Sequence, residues 1–373
     1  MTTIVPVRTR AQRKLFHRVT DRIYHDDPLW IPYVEADIEH ILSEKNPLVQ
    51  AGGRFERWLA LQDNEPVGRI AAFIHPKRPG IGGIGFWETI NDPAINHQLF
   101  LTAENWLRQQ GAVRVEAPIN FGDRGSYWGL RIEGTTPPTF QENYQPPYYR
   151  PLIESEGYTE LFRQFTYHIS KKTFNADRLL RVGKALIQRG HPFQYRPLSF
   201  DDVERFARAA AVIYNEGWQH LEGFAPISPA QTRALLEQIR PILIPDLIWF
   251  AFDDDRPVGM IVMIPDFNLY LKKIGGRLRW WNKWLLPLLF RTYTPSRLKG
   301  LVFGVVPDYH NRGVDVMLVY HFYHAIMRYP KILDAELAWI GNFNPRMQRF
   351  MENIHSTVAK VHATYQKVFE PAK

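Results

Sequence analysis

The segment most capable of chemistry runs Val305-Val306-Pro307-Asp308-Tyr309-His310-Asn311-Arg312-Gly313-Val314-Asp315-Val316-Met317-Leu318. An apolar, β-branched run ends, a polar loop with one glycine follows, and a helical pattern begins. Loop amides and the first N–H groups of a helix then converge on one spot. Such a cluster of donors, reinforced by the helix dipole, binds phosphate. Gly313 lets an anion approach the backbone, and Arg312 adds positive charge. The alternative is an ordinary strand-to-helix turn that binds nothing. His321 and His324 follow at helical spacing, but no carboxylate completes a metal motif with them, so they read as core or surface histidines. No metal site is expected. Phosphate loops of the Walker and dinucleotide types are absent, as is a serine-nucleophile elbow.

The elements that must position this loop emerge from an internal repeat. Trp58-Leu-Ala-Leu-Gln-Asp63-Asn-Glu-Pro66-Val67-Gly68-Arg-Ile70 recurs as Trp249-Phe-Ala-Phe-Asp-Asp254-Asp-Arg-Pro257-Val258-Gly259-Met-Ile261. Seven positions are identical at an offset of 191 residues. Each copy reads as strand, polar turn, strand. After each hairpin the same order follows. The first copy predicts a strand at 84–90, a helix at 96–110 and a strand at 113–119. A helix near 148–156 and a strand at 161–169 close it. The second copy predicts a strand at 301–306, a helix at 314–327, a strand at 335–340, a short helix at 345–353 and a strand at 357–369. Helices at 10–24 and 200–214 open the two copies. The predicted fold is therefore α+β, a three-layer α/β/α arrangement with two tandem mixed sheets flanked by helices. Its domains are expected at 1–170 and 195–373, with 171–194 as connector. The first copy has no glycine in Thr89-Ile90-Asn91-Asp92-Pro93-Ala94, so a phosphate loop is expected only in the second.

Composition bounds the function. The 373 residues include no cysteine, which excludes disulfides, thiolate metal sites and a cysteine nucleophile. A polar, basic start without an apolar core and the lack of any run of about 18 apolar residues lead to the expectation of a cytoplasmic protein. The net charge of +8 fits a solubility surplus, an anionic ligand or an anionic membrane surface. No nucleic-acid-binding signature accompanies it, so no nucleic acid partner is expected.

The loop resembles the acyl-CoA-binding signature of the GNAT acyltransferase superfamily, V-x-P-x-Y-R-G-x-G-x-G/A. Val305, Pro307, Tyr309 and Gly313 fall at matching places. His310 and Asp315 depart from it. Ala335 to Met347 resembles the next GNAT strand and helix start. The first half contributes Gly85-Phe86-Trp87-Glu88, Ala103 to Leu107, Gly129 to Gly134 and Tyr148-Tyr149 to a likeness with a bacterial group of tandem GNAT proteins. The resemblance implies acyl transfer from acetyl-CoA or a longer acyl-CoA to an amine. It implies that Val305, Val306, Asn311, Arg312, Gly313, Val314 and Asp315 line the co-substrate, with Asn344 at its arm. A backbone N–H of Val305 or Val306 would polarise the thioester. Glu336 is the carboxylate to test as proton acceptor, with Asp308 and His310 as alternatives. Met351 stands where relatives carry a tyrosine acid. Two other readings stay open: a non-catalytic CoA- or anion-binding module, and a lipid-related acyltransferase working at a membrane surface.

The last reading comes from residues 270–297, where Lys272, Lys273, Arg277, Arg279 and Lys283 neighbour Trp280, Trp281, Trp284 and several leucines. Such a block suits a membrane interface or a fatty chain. It also suits burial against the first domain or a second copy in a homodimer. The acceptor is expected to be a small-molecule or lipid-like amine.

Overall fold

The computed structural model describes residues 1–219 and 226–370, so the expected domain end at 373 falls outside them. Strands are β1 (Thr2–Pro6), β2 (Arg54–Gln62), β3 (Glu65–Ile74), β4 (Ile81–Thr89), β5 (Arg114–Ala117), β6 (Leu130–Glu133), β7 (Thr159–Ser170), β8 (Gln194–Pro197), β9 (Ile248–Asp253), β10 (Arg256–Pro265), β11 (Arg297–Val305), β12 (Asp334–Glu336), β13 (Ile340–Gly341) and β14 (Thr357–Val368). The α-helices are α1 (Arg10–Ile23), α2 (Glu35–Ile41), α3 (Pro47–Gln50), α4 (Pro93–Gln109), α5 (Tyr149–Ser155), α6 (Asp177–Gln188), α7 (Val203–Trp218), α8 (Pro229–Ile239), α9 (Phe267–Lys273), α10 (Leu286–Thr292), α11 (Val314–Ile326) and α12 (Pro345–Asn353). Helices cover mixed sheets, as the hydrophobic patterning predicts.

Two compact units form. Among the described residues the first holds 1–165, 339–344 and 359–370; the second holds 166–219, 226–338 and 345–358. The last strand of the chain thus belongs to the first unit, where Tyr365 pairs with Ala117 and Val368 with Arg114 on β5. A buried ion pair helps hold it there. Lys360 is almost fully buried, and its Nζ lies 2.7 Å from Glu142 Oε2.

In the first unit the strands run β1-β2-β3-β4-β5-β14, antiparallel except for the parallel β4–β5 pair. Strand periodicity sends alternate residues to opposite faces. Trp58, Ala60, Ile70 and Ala72 pack with Leu99, Phe100 and Leu107 of α4. Leu59 and Ala71 pack with Phe16 and Val19 of α1. The β2–β3 turn places Asp63 and Asn64 at φ 52° and 66°, the left-handed pair a tight hairpin requires.

In the second unit the order is β12-β11-β10-β9-β8, with the end of β7 beside β12. Phe206, Ala207 and Ile213 of α7 and Val314, Leu318 and Ala325 of α11 join β9 and β10 in one core. The predicted strand at 335–340 is interrupted: β12 ends at Glu336, and Leu337 N–H turns to Tyr167 O of β7. At that point a buried guanidinium ties three elements together. Arg297 Nε and Nη2 donate to Asp266 Oδ2 at 3.0 and 2.6 Å, and Nη1 donates to Glu336 Oε1 at 3.2 Å.

Removing one member of such a group strands buried charge. Arg297→Met is expected to cost about 3–5 kcal/mol in urea unfolding, against under about 1 kcal/mol for an exposed ion pair. A second outcome follows from Glu142. Burial raises its carboxyl, but Lys360 and His362 outweigh that and hold it at about 2, below its ordinary 4.5. A depressed carboxyl adds stability above its unfolded value and loses it as pH falls toward the folded one. The unfolding free energy should therefore fall between pH 4.5 and about 2, and Glu142→Gln should flatten that slope.

Candidate functional site

The parallel β11–β12 ladder consists of Arg297 opposite Asp334, Leu298 opposite Ala335 and Lys299 opposite Glu336. Beyond Lys299 the two strands part. β11 continues along β10 as far as Val305, and every residue from Leu301 to Val305 is only half-buried. The register decides which backbone groups face the open edge. Val306 N–H donates to Val258 O at 2.9 Å, so Val306 and Val258 form a hydrogen-bonded antiparallel pair. The neighbouring pair, Val305 and Gly259, is then of the non-bonded kind, and Val305 N–H points away from β10 toward the opening. The expectation of a usable amide thus narrows to Val305; the ladder has taken that of Val306.

The opening is framed by named side chains of the same unit. Phe350 of α12 stacks on Phe303 with ring centres 5.3 Å apart. Gly304 has no side chain because Trp218 occupies that space; a Cβ would lie 2.3 Å from its indole. Trp218 in turn stacks on Tyr214 at 5.5 Å. The walls are aromatic on both sides.

At the end of β11 a short 3-10 turn, Pro307–Tyr309, leads through Asn311 at φ 62° to Gly313 at φ 81°. Gly313 is the N-cap of α11, and no side chain caps this helix. The first N–H groups of a helix have no acceptor within it. The amides of Val314 and Asp315 are therefore donors for an anion. Asp315 Oδ1 accepts from Val316 N–H at 3.0 Å, and burial, with this carboxylate nearby, pushes the Tyr195 hydroxyl well above its ordinary range. Arg312 lies over the rings of Phe193 and Tyr309 at 4.7 and 4.8 Å. Its guanidinium is exposed, as are Arg346 and Arg349. Arg346 donates to Asn311 Oδ1 at 3.3 Å, linking α12 to the loop. Arg346, Phe350, Phe303 and Trp218 were not singled out by sequence, because each enters through tertiary packing; the helical spacing of Arg346 and Arg349 was the one available signal.

The remaining expected residues take the following positions. His310 Nε2 lies 2.9 Å from Val305 O, so its ring braces the loop. Asp308 is exposed beside Arg256 at 4.0 Å. Glu336 sits where the strands part, engaged by Arg297. Asn344 is exposed directly before α12, and its N–H donates to Gly341 O at 2.9 Å. It falls in the residues of the first unit. Met351 is buried. His321 is stacked on Tyr195 at 4.9 Å and Trp249 at 5.0 Å. Burial, with His324 nearby, holds it neutral by lowering its pKa to about 4. Among the described residues no three or more His, Cys, Asp or Glu gather as metal ligands.

The equivalent region of the first unit is closed. β4 is buried from Gly82 to Thr89, and hydrogen bonding to the next strand continues through Ile119 N–H to Ile84 O at 2.8 Å. A Cβ on Gly85 would stand 1.9 Å from Ile119 O. The start of α4 is occupied by its own cap, since Asp92 Oδ1 accepts from the amides of Ala94 and Ile95. Where the second unit has an opening, the first has a polar core. Tyr24 and Tyr149 donate to Glu88 Oε2, each at 2.8 Å. Burial raises the Glu88 carboxyl, and Arg69 opposes the rise. One concavity of the first unit, ≈ 1170 Å³, is lined by Arg8, Glu39, Glu56 and Arg57 among others. Those charges pair among themselves, Arg8 with Glu56 and Arg57 with Glu39.

Strand-edge exposure, a glycine-capped helix and an opening between parallel strands invite comparison with known proteins. No family model matches the chain. A protein named bacterial ceramide synthase from Caulobacter vibrioides is 26% identical over 98% of this chain and 97% of its own length. The protein YghO of Escherichia coli is 28% identical over 95% of this chain and 92% of its own. Among solved structures, a tandem GNAT protein from the clavulanic acid biosynthesis pathway matches 100% of both chains with a TM-score of 0.59 at 8% identity. A GCN5-related N-acetyltransferase from Sphaerobacter thermophilus covers 100% of this chain and 97% of its own with a TM-score of 0.53 at 13% identity. Likeness at such identities speaks for fold: the chain has the tandem GNAT fold.

Proposed function

We propose that this protein is an acyl-CoA-dependent N-acyltransferase that joins a fatty acyl group to a lipid-like primary amine, working from the second unit. The observation that carries this reading is the contrast between the two helix starts. Asp92 takes the Ala94 and Ile95 amides of the first with its own carboxylate, whereas Gly313 leaves the Val314 and Asp315 amides of the second without a capping side chain, beside a half-buried strand edge. The full-length similarity to a protein named for ceramide synthesis supports a long-chain amine as acceptor. The aromatic walls of Trp218, Tyr214, Phe303 and Phe350 suit an aliphatic chain.

In this reading the amides at Val314 and Asp315, with Arg312, Arg346 and Arg349, hold the phosphates of the co-substrate. Val305 N–H polarises the thioester carbonyl and stabilises the oxyanion that forms there. The acceptor nitrogen attacks the carbonyl carbon, loses one proton to a base, and the carbon–sulfur bond breaks as the amide forms. The departing thiolate takes up one proton. Glu336, opposite Lys299 and six residues of β11 before Val305, is the carboxylate proposed to receive the amine proton by relay through water in the gap between the strands, released for that step from Arg297. Met351 supplies no acid, so water protonates the thiolate.

Two experiments test the proposal. Calorimetric titration of palmitoyl-CoA should give a micromolar Kd, weakened about tenfold or more in Arg312→Glu/Arg346→Glu, since charge reversal opposes phosphate binding. These exposed positions leave the unfolding temperature unchanged. Equal affinity in both proteins, or no binding by either, would sink the proposed site. Glu336→Gln should retain acyl-CoA binding yet lower kcat with a sphingoid base about 100-fold. A variant that loses only thermal stability would confine Glu336 to a structural role.

A further inference from the structure

Between β10 and β11 the second unit carries an insertion that the acyl-transfer reading does not use. From Phe267 to Pro307 the chain has no Asp or Glu, while Lys272, Lys273, Arg277, Arg279, Lys283 and Arg291 all fall before β11. The insertion is built rather than loose. Asn282 is buried, and its side-chain amide donates to Ile274 O at 3.1 Å and Arg277 O at 2.8 Å. Its Oδ1 accepts from Arg279 N–H at 2.7 Å. On α10, Phe290 packs edge-on against Tyr270 of α9 at 5.0 Å. These contacts anchor one side and leave the other outward.

The outward side is apolar. Trp280 is 75% exposed, Trp281 53%, Trp284 73%, Leu285 49% and Leu288 59%. Trp284, Leu285 and Leu288 follow helical spacing through the 3-10 turn Lys283–Leu285 into α10, and Trp280 and Trp281 are exposed in the turn just before it. Cations rim that face: Arg279 lies over the Trp281 ring at 5.1 Å, and Lys283 over Trp284 at 5.3 Å. An exposed apolar patch of this size is costly in water without an occupant. A symmetric contact with a second copy would set the six cations of one chain against those of the other. An anionic lipid surface meets both demands, with indoles at the headgroup level and Lys and Arg against lipid phosphates.

We propose that residues 277–291 dock the protein on an anionic bilayer surface, with Trp280, Trp281, Trp284, Leu285 and Leu288 entering the headgroup layer and Arg279 and Lys283 binding its phosphates. The docking is independent of the reaction carried out, and its test uses no turnover. The full-length protein is sedimented with phosphatidylcholine vesicles and with phosphatidylcholine–phosphatidylglycerol vesicles. The wild type should partition onto the anionic vesicles about tenfold or more better than onto neutral ones, less so at high salt. Trp280→Ser/Trp281→Ser/Trp284→Ser should lose that binding by about tenfold or more at an unchanged unfolding temperature. Arg279→Glu/Lys283→Glu, which keeps the indoles, should lose the preference for anionic lipid. Absence of wild-type binding, or equal binding by wild type and both variants, overturns the proposal. So does a wild-type dimer that dissociates in the tryptophan variant during sedimentation velocity.

Discussion

One guanidinium fixes where the second unit opens. Arg297 begins β11, Asp266 directly follows β10 and caps α9, and Glu336 ends β12. With both carboxylates on one buried cation, the three strands are held together at one end. A few residues later β11 and β12 have parted. Leu337 N–H has gone to β7, and the Val305 amide faces the gap. Charge burial is expensive unless fully paired, so the point of divergence cannot drift along the strands. The proposed oxyanion donor and the proposed phosphate loop both stand on the strand so anchored.

The two copies show how one fold is opened or shut by small substitutions. Gly85 admits the Ile119 carbonyl against β4, and the gap is filled by main chain. Gly304 at the corresponding open strand admits the Trp218 ring, which builds a wall and leaves the edge free. Asp92 satisfies the α4 start internally, at the position where an anion would otherwise lie. Gly313 offers no such oxygen. The first copy spends its polar groups on the Glu88–Tyr24–Tyr149 core.

Much of the fold was legible from residue order. The repeated hairpin, the helix at 314 and the short helix at 345–353 follow from alternation, a helix-starting glycine and an Asn-Pro start, all local signals. The helix expected at 96–110 starts earlier, at Pro93, with Asp92 as its cap. The pairing of β14 with β5 was not legible, since alternation says which face a residue takes but not which strand lies beside it. Lys360 carries no local sign of burial, because its partner Glu142 lies 218 positions earlier in the chain. The Asp266–Arg297–Glu336 group spans three elements for the same reason. Val305 and Val306 looked alike as amide donors until the ladder register separated them. The tryptophans of 280–284 pointed to a surface or a core alike, and only the packing of Phe290 and Asn282 turned them outward.

The central claim is that the second copy, and not the first, receives the co-substrate. Amide hydrogen exchange followed by mass spectrometry, with and without saturating palmitoyl-CoA, tests it directly. The account predicts slowed exchange in peptides covering 302–318 and unchanged exchange in those covering 84–96. Protection confined to 84–96, or protection of neither segment at saturating ligand, would contradict it.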